Sequence, residues 1–281
     1  MSRPASGRWL RAVVLGFGFG FLYLPILLLV IYSFNGSRLV TVWGGASLRW
    51  YGVLAGDDKF RAAALTSLEV GALSASAAVA IGGCAGFSLS RFGRFHGRAL
   101  FGFLLLAPLV VPEIILGLSL LLLFVAAQSW IGWPPRGILT IVIAHATFAS
   151  CYVAVLVRAQ LAGFDRALEE AALDLGARPA TVLLRITLPG ISPALVSGWL
   201  LAFTLSLDDV VVASFVSGPS STTLPMAVYS SVRIGVTPEI NALATVFLGL
   251  VLAVMTAAGW AIARQERRRR APDTGARRGR G

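Results

Sequence analysis

The chain has 281 residues, of which 57% are hydrophobic and 13% are charged, and its mean hydropathy is +0.80. Soluble domains carry about 25% charged residues, so the composition excludes an ordinary soluble domain and indicates an integral membrane protein. The net charge of +11 does not indicate binding to nucleic acid. The basic residues lie in the C-terminal tail and between apolar runs, which is typical of membrane topology signals.

The N-terminus resembles a signal peptide only superficially. Arg3, Arg8 and Arg11 precede an apolar run from about residue 13 to residue 32. This run is too long for the apolar region of a signal peptide, and no small-residue cleavage site follows it. We therefore predict a retained first helix.

Six apolar segments approach or exceed the length of about 20 residues that a membrane-crossing helix needs. We accordingly predict an all-α membrane protein with six transmembrane helices over residues 9–263. It is flanked by a cytoplasmic N-tail, 1–8, and a disordered basic tail, 264–281. The six predicted spans are approximately 9–34, 62–90, 99–127, 137–161, 191–216 and 240–263.

The charges of the connecting segments predict the orientation of the spans. Eighteen of the 24 Lys and Arg residues fall on one side of the predicted membrane and six on the other. The positive-inside rule then places both termini and the segment 165–189 in the cytoplasm. The Arg267–Arg270 run is interpreted as part of a topology anchor, with binding to anionic lipid headgroups as the alternative.

Small residues and prolines shape the predicted spans. A stripe of small side chains at intervals of three or four residues in the second span predicts close helix packing. Prolines within the first and third spans are expected to kink them. The small residues are Gly71, Ala75, Ala78, Gly82 and Gly86, and the prolines are Pro25, Pro108 and Pro112.

The loop between the last two predicted spans, 217–239, is long. It contains an apolar stretch, 224–236, that is too short to cross a bilayer. We predict a short helix at the outer membrane face or dipping into it.

The segment 165–189 is a polar interruption that holds four acidic and three basic residues. Glu169 to Gly176 is composed of strong helix formers, with two acids near its start and a glycine at its end. Pro179 can begin a second short helix that runs to about Ile186 and is ended by Pro189. Two short helices joined at a glycine predict a compact cytoplasmic element.

The spacing within this element resembles the EAA motif of ABC importer permeases. In that family the motif forms coupling helices that dock into a cleft on a cytosolic ATPase. The resemblance implies a polar contact from the glutamate, a close-packing face from the alanines and a bend at the glycine. The matching residues are Glu170, Ala171, Ala172, Gly176, Ile186, Leu188 and Pro189.

The stretch 201–245 is similar to the C-type membrane subunit of the spermidine/putrescine permeases, as are the surroundings of Glu113 and Glu69. One departure is Thr66, where many relatives have Asn. The resemblance implies the type I ABC importer permease fold in a bacterial inner membrane. It also implies a second permease subunit, an ATPase dimer and a periplasmic substrate-binding protein. The chain itself would bind no cofactor, since ATP and Mg would bind the ATPase.

The implied function is the translocation of polyamines from periplasm to cytoplasm. The wider group also imports other small amines, opines and aminophosphonates, which are the alternative substrates. An ion-coupled secondary carrier is a rival from another class, but no inverted repeat is evident. Uptake that persists without the ATPase would favour the carrier. A membrane enzyme lacks support, because no nucleophile–base pair or metal cluster is seen in the sequence.

Four acids fall within or at the edges of the predicted spans: Glu69, Glu113, Asp208 and Asp209. Ionised side chains in such positions usually face a cavity, a partner or a substrate path. Asp208 or Asp209, with Glu113 and Tyr229, would suit a polycationic substrate. Adjacent aspartates point about 100° apart on a helix, so at most one is expected to face a pore. The other could cap a helix or accept a hydrogen bond. Glu113 could satisfy backbone freed at Pro112, and Tyr229 could anchor at the interface.

The remaining reactive side chains are given structural roles. Cys84 and Cys151 lie in apolar segments without metal spacing or a disulfide framework, and we interpret them as packing residues. His145 and His96 lack companions at ligand spacing. We therefore predict no metal site, a packing role for His145 and a surface position for His96.

Overall fold

The computed structural model describes residues 6–39, 42–235 and 237–249, together with 252–253, 256 and 260. Within these residues the regular secondary structure is helical, apart from an isolated bridge between Asn35 and Ala46. The helices are α1 (Ser6–Ser33), α2 (Arg49–Gly56), α3 (Asp58–Arg91), α4 (Arg98–Leu106), α5 (Glu113–Ile131), α6 (Ile138–Ala162), α7 (Ala167–Asp174), α8 (Pro179–Val182), α9 (Leu188–Asp208), α10 (Val211–Val216) and α11 (Leu224–Ile234).

Five described helical segments are long and apolar enough to cross a membrane. They confirm the first, second and fourth predicted spans closely. Residues 240–249 of the sixth predicted span are helical, but much of 250–263 lies outside the described residues, as do residues 1–5 and the tail 264–281. The five segments are Arg11–Ser33, Asp58–Arg91, Glu113–Ile131, Ile138–Ala162 and Pro179–Asp208.

The third predicted span, 99–127, is wrong as a single helix. α4 passes into one 3₁₀ turn, Ala107–Leu109, and α5 begins only at Glu113. Pro112 has an extended backbone with ψ of 137°. A proline cannot donate the next helical hydrogen bond and disfavours helical geometry in the residue before it. The apolar run therefore contains two helices, and the second extends to Ile131.

The fifth predicted span, 191–216, is also wrong at both ends. A π-helical turn, Leu183–Thr187, joins α8 to α9, so the helix runs unbroken from Pro179 to Asp208. Pro189 does not end it, because the wider π turn accommodates a residue without an N–H. At the other end the backbone turns extended at Asp209, and α10 follows as a separate short helix.

Residues 58–230 form one compact unit. Its core lies where α3, α6 and α9 pack together, with a second cluster where α5 and α10 meet α6. All five predicted small residues of α3 are buried. A Cβ added to Gly82 would lie 2.3 Å from the Ser150 carbonyl oxygen. The backbones of α3 and α6 therefore touch directly, as the small-residue pattern predicts.

Residues 1–57 with 231–281 form the other unit. Within it, Asn35 organises the loop between α1 and α2. Its Nδ2 donates to the Val42 carbonyl at 2.7 Å, and its Oδ1 accepts from the Gly44 N–H at 2.7 Å. The indole N–H of Trp50 donates to the Asn35 carbonyl at 2.7 Å. This buried asparagine thus fixes the polypeptide that leaves α1.

The short helix predicted in 224–236 is confirmed as α11. Its first residue, Leu224, donates its N–H to the Ser67 hydroxyl on α3 at 2.7 Å. Ser67 is buried, so this hydrogen bond attaches the start of α11 to α3.

Candidate functional site

Asp209 lies at the break between α9 and α10. Its carboxylate accepts the backbone N–H groups of Val212 at 3.2 Å and Ala213 at 2.7 Å. These are two of the donors that the first turn of a helix leaves unsatisfied. An aspartate that competes for local N–H groups both ends α9 and starts α10.

His145 holds the same carboxylate from α6. Its ring is fully buried, with Nε2 3.1 Å from Oδ2 of Asp209 and Nδ1 2.7 Å from the Ser206 hydroxyl. The Nε2–H therefore donates to the carboxylate. The interpretation of His145 as a packing residue is wrong, because both ring nitrogens have polar partners. These partners lie 61 and 64 residues away in the chain, so no local spacing could indicate them.

Asp209 and Glu113 line one small cavity together with the Phe148 ring. The cavity has a volume of about 20 Å³, which is room for about one water molecule. Two carboxylates and an aromatic face thus meet at a narrow point between α5, α6 and the α9–α10 break. This combination of groups is suited to a cation.

The other acids and the tyrosine considered for the substrate path lie elsewhere. Asp208 is exposed at the last residue of α9, Glu69 is exposed on α3, and Tyr229 is 59% exposed on α11. None of them lines the cavity with Asp209 and Glu113. The structure therefore brings together two of the four predicted path residues.

The predicted coupling element contains a regular helix with a glycine stop. α7 begins two residues before the predicted start, and Gly176 has φ of +82°. The Gly176 N–H donates to the Leu173 carbonyl at 2.9 Å, and the Ala177 N–H to the Ala172 carbonyl at 3.0 Å. A left-handed glycine with these hydrogen bonds caps the helix and turns the chain, as expected for a bend.

Glu169 anchors this element to the rest of the 58–230 unit. One carboxylate oxygen lies 2.9 Å from Nε of Arg91, and the other accepts from the Thr187 hydroxyl at 2.6 Å. The side chains of Arg91 and Glu169 are only 10% and 14% exposed. Glu169 therefore ties α7 to the end of α3 and to the π turn. This role of Glu169 was not predicted from the sequence, because the motif includes Glu170 and not Glu169.

The motif residues present a different surface from Glu169. Ala172 and Ile186 are half-buried and the others are exposed, so the motif lies at the periphery of the folded chain. Their docking role remains a prediction. The exposed members are Glu170, Ala171, Gly176, Leu188 and Pro189.

Within the described residues, no group of three or more His, Cys, Asp or Glu side chains is placed to hold a metal ion. Both cysteines are free thiols: Cys84 is exposed and Cys151 is buried.

Comparison with known proteins identifies the family. Residues 78–271 match the model of the binding-protein-dependent transport system inner membrane component. The chain is 58% identical to the putrescine transport system permease protein PotI of Escherichia coli K12, over 92% of each chain. It is 42% identical to the spermidine/putrescine transport system permease protein PotC of the same strain, over 92% of this chain and 96% of the relative.

Solved structures share the fold at low sequence identity. A subunit of a bacterial alginate ABC transporter superposes with a TM-score of 0.67 at 17% identity, covering 94% of this chain and 99% of that one. The MetNI methionine ABC transporter gives 0.56 at 19% identity, covering 78% and 98%. The expected type I importer permease fold is thereby confirmed, and ATP hydrolysis belongs to a separate subunit. The chain belongs to the binding-protein-dependent transport system inner membrane components and is a permease subunit of an ABC importer.

Proposed function

We propose that this permease subunit carries polyamines, putrescine foremost, from the periplasm to the cytoplasm. The relatives that support this cargo are named as putrescine and spermidine/putrescine permeases, and they match over 92% of the chain. Primary amines of this type are protonated at neutral pH, as the lysine side chain is. The cargo is therefore a flexible cation with two or more charges.

The observation that carries this proposal is the meeting of Asp209, Glu113 and Phe148 at one narrow cavity. A carboxylate within a membrane-spanning region is costly unless it faces a partner or a path. Asp209 has such a partner in His145, yet it still lines the cavity. Glu113 is exposed at the start of α5. Each carboxylate can hold one ammonium group, and the ring adds a cation–π contact.

The cavity is too small for a whole polyamine, which agrees with a closed constriction rather than a binding pocket. In the working cycle the α5 and α10 ends would separate to admit the substrate. A periplasmic binding protein would deliver the substrate near the outer loop 217–239. A second permease subunit would complete the path on the other side.

Asparagine and glutamine substitutions test the acidic path directly. In cells that carry the complete transporter, Asp209→Asn and Glu113→Gln should each lower labelled putrescine uptake at least about tenfold, because a charge-assisted contact contributes about 1.5–3 kcal/mol. Asp208→Asn is the matched control and should change uptake less than about twofold, the effect of a surface substitution of about 0.5 kcal/mol at most. Assembly of the purified complex must be unchanged in all three.

Normal putrescine uptake by the doubly substituted Asp208→Asn and Asp209→Asn chain would count against the acidic path. The cargo itself is tested by competition against labelled putrescine. Unlabelled putrescine and spermidine should compete, and an aminophosphonate should not. If the aminophosphonate were transported and putrescine were not, the alternative substrate class would be correct and the polyamine proposal wrong.

The coupling element completes the proposed machine. The surface around α7 and the π turn would dock onto one subunit of a cytosolic ATPase dimer that holds ATP and Mg. Glu170 would make a polar contact there, and Glu169 would transmit the motion to α3 and α9. With this side in the cytoplasm, both termini lie there too.

Gly176→Val tests this coupling role. A residue with a Cβ is strained by about 1–2 kcal/mol in the left-handed conformation that Gly176 adopts. We expect weaker co-purification of the ATPase and lower uptake. Gly163→Ala is the control, since Gly163 has φ of −92° and the atom nearest to its Cβ position, the Gln160 carbonyl oxygen, is 3.9 Å away. Full ATPase assembly and full uptake in Gly176→Val would contradict the coupling role.

A further inference from the structure

A cleft of about 720 Å³ lies where the end of α3, the start of α4 and the end of α6 meet. Four arginines line it, and none of its lining residues is acidic. A second cleft of about the same volume shares two of these arginines and adds Arg94. The four lining arginines are Arg91, Arg98, Arg158 and Arg166.

Two of the arginines are fixed by backbone carbonyls. Arg98 donates to the carbonyl of Leu89 at 2.6 Å and to that of Phe92 at 2.8 Å. Arg166 donates to the Ser90 carbonyl at 2.9 Å. Carbonyl groups hold these guanidinium groups in place but leave their charge uncompensated. The cleft is thus a rigid, positively charged surface.

Arg91 provides a second observation that points to a ligand, independent of the charge of the cleft. Its Nε is paired with Glu169, but its Nη2 is buried and has no hydrogen-bond partner in the described part of the chain. The side chain is only 10% exposed. A buried donor without a partner costs free energy that an added acceptor would recover. Glu169 neutralises the charge of only one of the four arginines. The acceptor that fits the cleft is therefore an anion.

The remaining wall of the cleft is apolar and adjoins helices that cross the membrane. Leu106 and Val155 line it, and the helices that meet there include the membrane-crossing α3 and α6. A free inorganic anion would make no use of this wall. A ligand with an anionic head and a hydrocarbon tail matches both parts, and basic pockets between membrane helices recognise such headgroups.

We propose that this cleft binds an anionic phospholipid. Its phosphate accepts from the guanidinium groups of Arg158 and Arg91, and an acyl chain lies along Leu106 and Val155. The site lies next to the Arg91–Glu169 pair that anchors α7. A bound lipid would therefore stabilise the attachment of the coupling element, independently of the cargo that the transporter carries.

Native mass spectrometry of the whole detergent-purified transporter tests the proposal. Phosphatidylglycerol should bind at least about fivefold tighter than phosphatidylcholine with the same acyl chains, and Arg158→Gln should remove about a fivefold factor, since one arginine contributes about 1 kcal/mol to such binding. Arg158 is exposed, so its loss should leave the fold intact. Arg61→Gln changes an exposed arginine at the other end of α3, outside the cleft, and should change nothing.

A second variant tests the apolar wall without altering charge. Ala159 is exposed and lines the cleft. Ala159→Trp should fill the space and weaken phosphatidylglycerol binding while the complex stays assembled. Millimolar inorganic phosphate should not displace the lipid.

Four results would overturn the lipid assignment. The first is equal affinity for both lipids, and the second is unchanged affinity in Arg158→Gln. The third is displacement by inorganic phosphate, which would make free phosphate the ligand. A carboxylate of the ATPase or second permease seated in the cleft of the assembled complex would also exclude the lipid.

Discussion

Asp209 has neighbours that serve different parts of the molecule. Its carboxylate accepts hydrogen bonds from two N–H groups of α10 and from the His145 ring on α6. It also faces the cavity that Glu113 lines. A carboxylate with three fixed donors keeps its position when a cation arrives or leaves. His145 therefore positions the Asp209 carboxylate at the cavity that we propose as part of the substrate path.

His145→Leu removes one donor and leaves the carboxylate short of a partner. Such a loss in a buried site costs about 1–3 kcal/mol, so we expect a lower melting temperature of the purified complex. Putrescine uptake should fall as well, because Asp209 is no longer held. His96→Gln is the control, since His96 is exposed, and should have no effect. Unchanged melting and uptake in His145→Leu would exclude the positioning role.

These side chains differ in how far the sequence alone could identify them. Glu113 and the Asp208–Asp209 pair are identifiable as candidates, because acids within apolar spans are rare and costly, but the sequence does not distinguish Asp209 from Asp208. His145 is not predictable, since its partners are set by the packing of α6 against α9. The same holds for Glu169, whose partner Arg91 lies 78 residues away. A local sequence pattern gives the spacing of residues along one helix. These hydrogen-bonded pairs depend instead on how different helices cross.

Helices α3 and α6 approach each other very closely at two glycines. A Cβ at Gly82 would meet the Ser150 carbonyl oxygen at 2.3 Å, and one at Gly86 the Ala154 carbonyl oxygen at 2.8 Å. Both distances are below any real van der Waals contact. Helices in lipid gain little from apolar burial against each other, so close backbone packing supplies their attraction.

Gly82→Ala should therefore push α3 away from α6. Forcing one extra carbon into a packed interface costs about 1–3 kcal/mol, and we expect a lower melting temperature and less assembled complex. Gly83→Ala is a matched control one residue away, where the nearest atom is a leucine methyl group at 3.4 Å. Equal stability of the two variants would show that the contact does not hold the helices together.

Substitutions of the two adjacent glutamates of α7 should have different effects, one on the attachment of the helix and the other on ATPase docking. Glu169→Gln breaks a largely buried ion pair, which costs about 3 kcal/mol or more. We expect at least about tenfold faster hydrogen exchange over residues 167–174, because local opening becomes easier. Glu170→Gln should leave exchange unchanged and weaken ATPase co-purification instead. The reverse pattern would show that Glu170, and not Glu169, anchors the helix.

The ends of the helices were the feature of the secondary structure that the sequence predicted least well. The hydropathy of 99–127 is continuous, but Pro112 divides it, and the prediction of a kink underestimated this effect. At Pro189 the opposite occurs, since the π turn before it lets the helix continue. A proline thus ends, divides or is absorbed by a helix according to the hydrogen bonding of the preceding turn, which local sequence does not reveal.

Within residues 58–230, one continuous helix connects the two candidate functional regions. The segment from Pro179 to Asp208 spans 30 residues, or about 45 Å at 1.5 Å per residue. Thr187 near its first end contacts Glu169 of the coupling element, and Asp209 follows its last residue. A displacement of α7 would reach the acidic cavity through this helix without any intermediate loop.

This arrangement requires the two ends of the helix to lie on opposite sides of the membrane. The charge distribution, with 18 basic residues on one side and six on the other, predicts that the α7 end lies in the cytoplasm. Thiol labelling of spheroplasts checks this orientation. Gly93→Cys lies between α3 and α4, and Thr222→Cys lies between α10 and α11; both positions are exposed. The background carries Cys84→Ala, because Cys84 is the exposed native thiol.

A membrane-impermeant maleimide should label Thr222→Cys in intact spheroplasts. Gly93→Cys should react only after the membrane is permeabilised, because its loop carries the positive charge that stays inside. Transporter assembly and uptake serve as controls that both cysteine variants are folded. Labelling of Gly93→Cys in intact spheroplasts would invert the topology, and an α7 outside the cytoplasm could not reach an ATPase.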